Sequence, residues 1–414
     1  MARPRLAPAS RARLVLLTSL LLAAAGCGAA PPRQPAPGLA ARCSTRAAAG
    51  RLAAAPARSV PLPGRPFAAL ALPGGRQVVV SLTVPAGIGI RGALAVLAVQ
   101  GQGARLVRTI ALPPSASGGS GMALTHDGRL LLVAAQAATV VLSVPALEHG
   151  AAHPVVGVLT DGGAGETEVA VSADDRYAFV TDEASAGLSV FDLALARRRG
   201  FAARGVAAGI VPLAPGPVGV AVAPAGDRVY VTTLGGYGDF GRLWAVSARR
   251  AESGGGRAAV LADAPAGCQP ARVAVSPGGT TVWVTALQSK ALLGFAAAVL
   301  ERHPPPAGGH RPATALRAVV LVGSEPVGLL LLDGGRTAVV GDSNRGLVAG
   351  TGDRQVPRIS VVSTAAALAG RPAVTGSLPA GLFPRDLGYD PATAEVLVPD
   401  YLSDSVELVR APAA

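Results

Sequence analysis

Seven times along this chain a short apolar run, a tight turn and a second apolar run ending in Val follow one another. The clearest copies are EVAVSADDRYAFVTD (168–182), GVAVAPAGDRVYVTT (219–233) and RVAVSPGGTTVWVTA (272–286). Fainter ones start at Ala68, Met122, Leu329 and Asp386. The Val closing each second run falls at 80, 133, 180, 231, 284, 340 and 398, so successive steps are 53, 47, 51, 53, 56 and 58 residues. A period in that range means stacked modules. Each copy continues past its hairpin, as in GLSVFDLALA (187–196) and GIVPLA (209–214), which brings the count to four short strands per module. Gly, Pro or Asp bounds each strand, the chemistry of a propeller blade.

The fold this predicts is all-β: a seven-bladed β-propeller over 58–410, with four antiparallel strands per blade. The last module ends at the chain's tail one strand short, while Ser59-Val60-Pro61-Leu62 stands unused before the first. Placed as the outer strand of the last blade, that segment closes the ring and hides an open edge. Pro61 fits there, because an outer strand tolerates a missing N–H.

The repeat resembles the YVTN family of bacterial propellers, including the YncE-like proteins. VAVSADDRYAFVTD with LSVFDLA, and VAVAPAGDRVYVTT, carry the resemblance, although Ser, Ala, Asp or Thr stands where the family ends its strand in Asn. The resemblance implies a propeller acting as a ligand-binding or protein-interaction scaffold. Some propellers of this kind are lactonases, so a lactonase-like hydrolase at the channel mouth is the alternative.

Ahead of the repeats, residues 1–26 read as an export signal: Arg3, Arg5, Arg11 and Arg13, then LVLLTSLLL (14–22) and small residues up to Cys27. Nine apolar residues cannot span a bilayer core of roughly 30 Å as a helix. The ending is similar to a bacterial lipobox, although Ala24 stands where Leu is preferred, and it makes Cys27 the expected lipidation site. The Pro- and Ala-rich stretch 27–57 reads as a tether. The expected location is the extracytoplasmic face of a membrane, with a lipid as the membrane partner. Cys43 and Cys268 then sit where disulfides persist; a bridge between them and two separate thiols both fit the sequence.

The formal charge of +12 includes the four arginines of the leader, and Lys290 is the single lysine. The remaining arginines are scattered among turns with no basic run, which argues against a nucleic-acid partner. The expected partner is a small-molecule, glycan or protein ligand of unknown identity. Aligned on the seven Val anchors, the inner strands begin at Ala68, Gly121, Glu168, Gly219, Arg272, Gly328 and Asp386, which should ring the channel mouth. Glu168, Arg272 and Asp386 are therefore the candidate polar convergence. Two long loops on the same face, 233–242 and 343–358, add Tyr237, Phe240, Arg242, Arg345 and Arg354 as a candidate basic, partly aromatic rim for an anionic or glycan-like ligand. No cofactor is expected. Asp182, Asp342 and Asp400, at the ends of second strands, are weak candidates for a divalent cation, because Asp there also caps turns. The sequence holds no Gly-x-Ser-x-Gly elbow, phosphate loop or haem-attachment motif.

Overall fold

The computed structural model describes Cys43 and residues 57–412, apart from 88, 102, 202–204, 237–238, 302–314 and 348–356. The expected signal segment and Cys27 lie outside the described residues. Twenty-eight strands form seven four-stranded antiparallel sheets, a seven-bladed β-propeller. Blade 1 begins with the inner strand Arg65–Ala71 and blade 7 with Gly388–Asp390. In blade 3 the order inner to outer is Glu166–Val171, Tyr177–Asp182, Gly187–Asp192 and Ala207–Pro212.

Ala57–Pro61 is the outer strand of blade 7, antiparallel to Ser405–Arg410, with Val60 opposite Val406 and Pro61 opposite Ser405. Arg58 pairs with Glu395 across the same blade, and the Leu62 N–H donates to the Asp404 carbonyl at 2.8 Å. The head of the domain is thereby latched onto its tail.

A blade lies between two others, so both faces of its middle strands are covered. This is why Leu130–Ala135 and Thr281–Ala286 are buried at every position and show no polar alternation. The core is correspondingly divided. Seven apolar clusters each join two adjacent blades, such as Val79, Leu94 and Val96 with Leu131, Val133 and Val140 between blades 1 and 2. With so few aromatics, Val, Leu and Ala fill these seams, and Trp283 and Phe295 are among the largest side chains wholly buried in them.

The first hairpin of a blade needs one left-handed residue. Gly75, Gly128, Gly226 and Gly279 supply it at equivalent turns. Blade 3 uses Asp175 instead, with φ of 57°. Its carboxylate accepts the backbone N–H groups of His126 and Asp127 at 2.7 and 2.8 Å, which ties the turn to blade 2. Between third and fourth strands, blades 2 to 6 carry helices of one or two turns, including Val144–Glu148, Leu193–Arg198 and Thr364–Leu368. Ser143, Asp192 and Ser363 cap them through side-chain oxygens. These helices are too short to show a 3.6-residue period in the sequence. No helix among the described residues is long and apolar enough to cross a membrane.

Cys43 and Cys268 form a disulfide, with Cα atoms 5.2 Å apart. Cys268 ends the outer strand of blade 4, Val260–Cys268, on the face that carries the inter-blade connectors. Ala57, where the closing strand begins, lies at the opposite end of its blade. The N-terminal segment is therefore fixed at two points on different blades.

Candidate functional site

In each blade the inner strand starts, and the second strand ends, on the connector face, so this face gathers side chains from all seven modules. What holds the inner strands in place is a hydroxyl that follows the anchor Val: Ser81, Thr181, Thr232 and Thr285. The inner strands of blades 1, 3, 4, 5 and 6 carry a register shift at their start. In blades 1, 3 and 5 the backbone N–H freed there donates to the hydroxyl, as Arg272 does to Thr285 Oγ1 at 3.0 Å. In blades 1, 4 and 5 the hydroxyl donates to a carbonyl of the next blade: Ser81 to Ser120, Thr232 to Ala271 and Thr285 to Val327, at 2.6 to 2.9 Å. Thr285→Val keeps the shape and strands one buried N–H and one buried carbonyl. It is expected to cost about 2–4 kcal/mol, checked by chemical denaturation beside Thr285→Ser, which should recover most of the loss.

Seated this way, Glu168, Arg272 and Asp386 meet at the channel mouth although they come from blades 3, 5 and 7. Arg272 places Nη2 3.0 Å from Glu168 Oε2 and Nε 3.1 Å from Asp386 Oδ1, and donates from Nη1 to the Val218 carbonyl at 3.0 Å. Arg272 and Glu168 are 7% and 8% exposed against 19% for Asp386, so water reaches the cluster through Asp386. Burial and then Asp386 push the Glu168 carboxyl well above the usual range. Burial pulls Arg272 down, but Glu168 and Asp386 more than offset it and keep the guanidinium charged. The small neighbours are required: a Cβ on Gly121 would fall 1.9 Å from Glu168 Oε1, and one on Gly328 would fall 2.2 Å from the Arg385 carbonyl.

The expected basic rim is corrected by these contacts. Arg272 is the hub of a buried ion-pair network and presents no free charge at the surface. Arg242 pairs with Asp263 in the outer part of blade 4, and it and Arg257 both stack on Trp244 at 6.0 and 5.3 Å. Phe240 is half-buried beside Cys268 in the strand ladder. Arg345 is half exposed, with Nε 4.0 Å from Glu325. Tyr237 and Arg354 lie outside the described residues.

The cation that the sequence reading missed is Arg385. Its guanidinium stacks 4.0 Å from the centroid of Phe67, 5.0 Å from Phe383 and 5.4 Å from Tyr401. Phe383 meets Tyr401 edge-on at 5.4 Å, and Arg65 lies 5.5 Å from the Tyr401 ring. Backbone bonds fix this seam between blades 7 and 1: Arg385 N–H to the Pro399 carbonyl, Asp386 N–H to that of Phe67 and Tyr401 N–H to that of Phe383, at 2.9 to 3.0 Å. Among the described residues no carboxylate stands within ion-pair distance of Arg385, and its buried Nε has no hydrogen-bond partner. Burial and then the charge of Arg272 lower its pKa to about 10. Phe67 and Arg385 each precede a channel-mouth residue by one, so the ring one position earlier would have revealed them.

Asp182, Asp342 and Asp400 do not surround one ion. They lie buried in blades 3, 6 and 7, each facing the third strand of its own sheet. Ser189 donates to Asp182, Ser360 donates to Asp342 at 2.5 Å, and Glu407 stands at the matching position in blade 7. Among the described residues no three His, Cys, Asp or Glu side chains are placed to hold a metal. In blade 4 the same two positions are Thr233 and Trp244, joined by an Nε1–H bond of 3.0 Å. Asp182 and Asp342 are thus the acceptor half of an internal pair, whereas Asp400 has Glu407 at that position and neither of its buried oxygens has a hydrogen-bond partner.

No protein-family model matches the sequence, and no curated protein matches it. Solved structures match its fold. A chain of the mitotic checkpoint complex superposes with a TM-score of 0.64 at 12% identity, covering 89% of this chain and 96% of that one. Hydrazine synthase from Kuenenia stuttgartiensis gives 0.60 at 14% identity, covering 85% and 97%. The β-propeller domain of Cps50 (Swd1) from Myceliophteria thermophila gives 0.58 at 10%, covering 84% and 97%. Identities this low speak for the propeller architecture alone.

Proposed function

We propose that this chain is an exported lipoprotein whose YVTN-like propeller binds a ligand at the mouth of its channel. The observation that carries the binding reading is the convergence of Glu168, Arg272, Asp386 and Arg385, from blades 3, 5 and 7, on one face. Polar groups of both signs over an aromatic floor are what fix a small ligand's orientation. A cleft of about 440 Å³ opens on the same face between blades 2, 3 and 4, lined by Gln136, Gly165, Glu183, Pro215 and Leu234. It has room for a small molecule.

The Cys43–Cys268 bond supports the location, because disulfides persist outside the reducing cytosol. Fifteen residues lie between Cys27 and Cys43, a reach of at most about 58 Å, and Cys43 is fastened to the channel-mouth face. On this reading an acyl anchor on Cys27 keeps that face within the same distance of the lipid.

Expression of the full chain in a bacterium, followed by fractionation, tests the anchor: Cys27→Ala is expected to move the protein from membranes to the soluble fraction. A soluble wild-type protein would defeat that part of the reading. A thermal-shift screen of sugars, peptides and small carboxylic acids tests binding, and a set with no stabilising compound counts against it. The hydrolase reading has one observation in its favour, two carboxyls side by side in Glu168 and Asp386 on the Arg272 guanidinium, the former pushed upward by burial. His126, His149 and His153 lie on the opposite face. A lactone-hydrolysis assay with and without divalent metal separates this reading from binding.

A further inference from the structure

Among the described residues at the channel mouth, two arginines have no carboxylate partner: exposed Arg65, beside Tyr401, and half-buried Arg385. Arg272 is answered by Asp386 at 3.1 Å and by Glu168 at 3.0 Å, and Arg345 faces Glu325. Arg385 faces aromatic rings instead. A guanidinium held over Phe67 at 4.0 Å gains a cation–π contact, but that contact uses its faces and leaves its N–H edge without an acceptor. Its Nε is buried and unbonded, while the residue as a whole is only half-buried and directly precedes the channel-mouth residue Asp386 in the chain. A buried cation without a counter-ion costs stability, and nothing in the fold requires one here, since neighbouring Phe67 and Phe383 would pack equally against an apolar side chain.

The geometry points to a counter-ion brought by the ligand: we propose that Arg385, with Phe67, Phe383 and Tyr401, forms a socket for the carboxylate of a small monoanionic molecule. The planar N–H fork matches a carboxylate in two parallel bonds. The rings on either side suit an apolar body attached to that carboxylate. Arg385 is the one half-buried positive charge without a carboxylate there, Arg65 beside Tyr401 being exposed to water, and with Asp386 close by this favours a monoanion over a phosphate dianion. Because Phe67 comes from the first blade and Phe383, Arg385 and Tyr401 from the last, the socket exists only when the ring is closed, so occupancy must also stabilise closure.

This rests on the binding reading above and is tested on the full-length protein by calorimetric titration with acetate, benzoate, inorganic phosphate and chloride. Benzoate is expected to bind best, and Arg385→Met to weaken it at least tenfold. Arg385→Lys, which keeps the charge and loses the fork, should fall between the two, and Arg242→Met, remote from the socket, should leave affinity unchanged. Arg385→Met should unfold at the same temperature as wild type or higher, whereas a purely structural arginine would lower it. Benzoate affinity unchanged in Arg385→Met, no carboxylate binding by wild type, or preference for phosphate each overturns the socket. If uncharged compounds still stabilise the protein while carboxylates do not, the socket fails and the binding reading stands; if neither class does, both fail.

Discussion

Raising the pH from 5 to 8 is expected to lower the unfolding temperature by about 5–15 °C, the reverse of the trend set by surface ion pairs. The cause is a set of buried carboxyl groups with too few cations. Burial pushes Glu166 and Asp400 to about 8 and Asp182 to about 7. It does the same to Asp342, also about 7, outweighing its hydrogen bond from Ser360 and the pull of Arg358. Hydrogen bonding around Asp182 agrees. Ser189 Oγ touches both Asp161 and Asp182, and since a hydroxyl has one proton to give, one of those carboxyls brings its own. In the unfolded chain all of these groups ionise near pH 4. Between that value and about 8 the folded state binds more protons than the unfolded one, so stability falls as pH rises and levels off beyond the folded pKa. A shift of three units corresponds to about 4 kcal/mol for one isolated group; Glu166 and Asp182 share a neighbourhood, so their effects do not add. Thermal melts at fixed ionic strength read the trend, and Asp182→Asn and Asp400→Asn should each flatten it. A melting temperature that is constant or rises from pH 5 to 8 would show that these acids are ionised in the fold.

How far the sequence reached follows from what its period encodes. Blade number, strand order, Val60 opposite Val406 and the meeting of Glu168, Arg272 and Asp386 all depend on phase, and the anchor Val fixes phase in every module. Arg385 lies in the stretch before Gly388, where regular pairing of the last blade has not begun, so phase said nothing of where its side chain goes. A compositional signal was present: in a chain of seven Phe and five Tyr, Phe67, Phe383 and Tyr401 sit beside channel-mouth positions of the first and last modules. Arg242 misled because its position in a long loop's terminus hid a partner, Asp263, that lies on the next strand and is out of reach in sequence. The aspartates looked like ligands because identical positions in several blades suggest a ring, yet each is used within its own sheet. The pairing of Cys43 with Cys268 stayed undecided because Cys43 lies before the first module, where the repeat's phase places no residue.

Replacing Cys43 by Ser is expected to cost about 2–5 kcal/mol, since the bond closes a loop across a separation of 225 residues and removes that freedom from the unfolded chain. Its action in the folded state is more specific. The closing strand Ala57–Pro61 is joined to blade 7 by its ladder to Ser405–Arg410 and by the burial of Val60 and Leu62. If it detaches, Val406 and Leu408 are exposed along an open edge. With Cys43 fastened to blade 4, a detached strand stays close to its seat at a high effective concentration; in Cys43→Ser it does not. Hydrogen exchange at Ser59 and Val60 should therefore accelerate in Cys43→Ser, while exchange in the middle strands of blades 2 and 3 changes only with global stability. Val60→Asp, which buries a charge in the closing seam, should destabilise on its own by about 3–5 kcal/mol. Together with Cys43→Ser the loss should exceed the sum of the two, because each fastening limits what failure of the other can expose. Additive losses within about 0.5 kcal/mol would mean that the two attachments act independently and that the disulfide works through the unfolded chain alone.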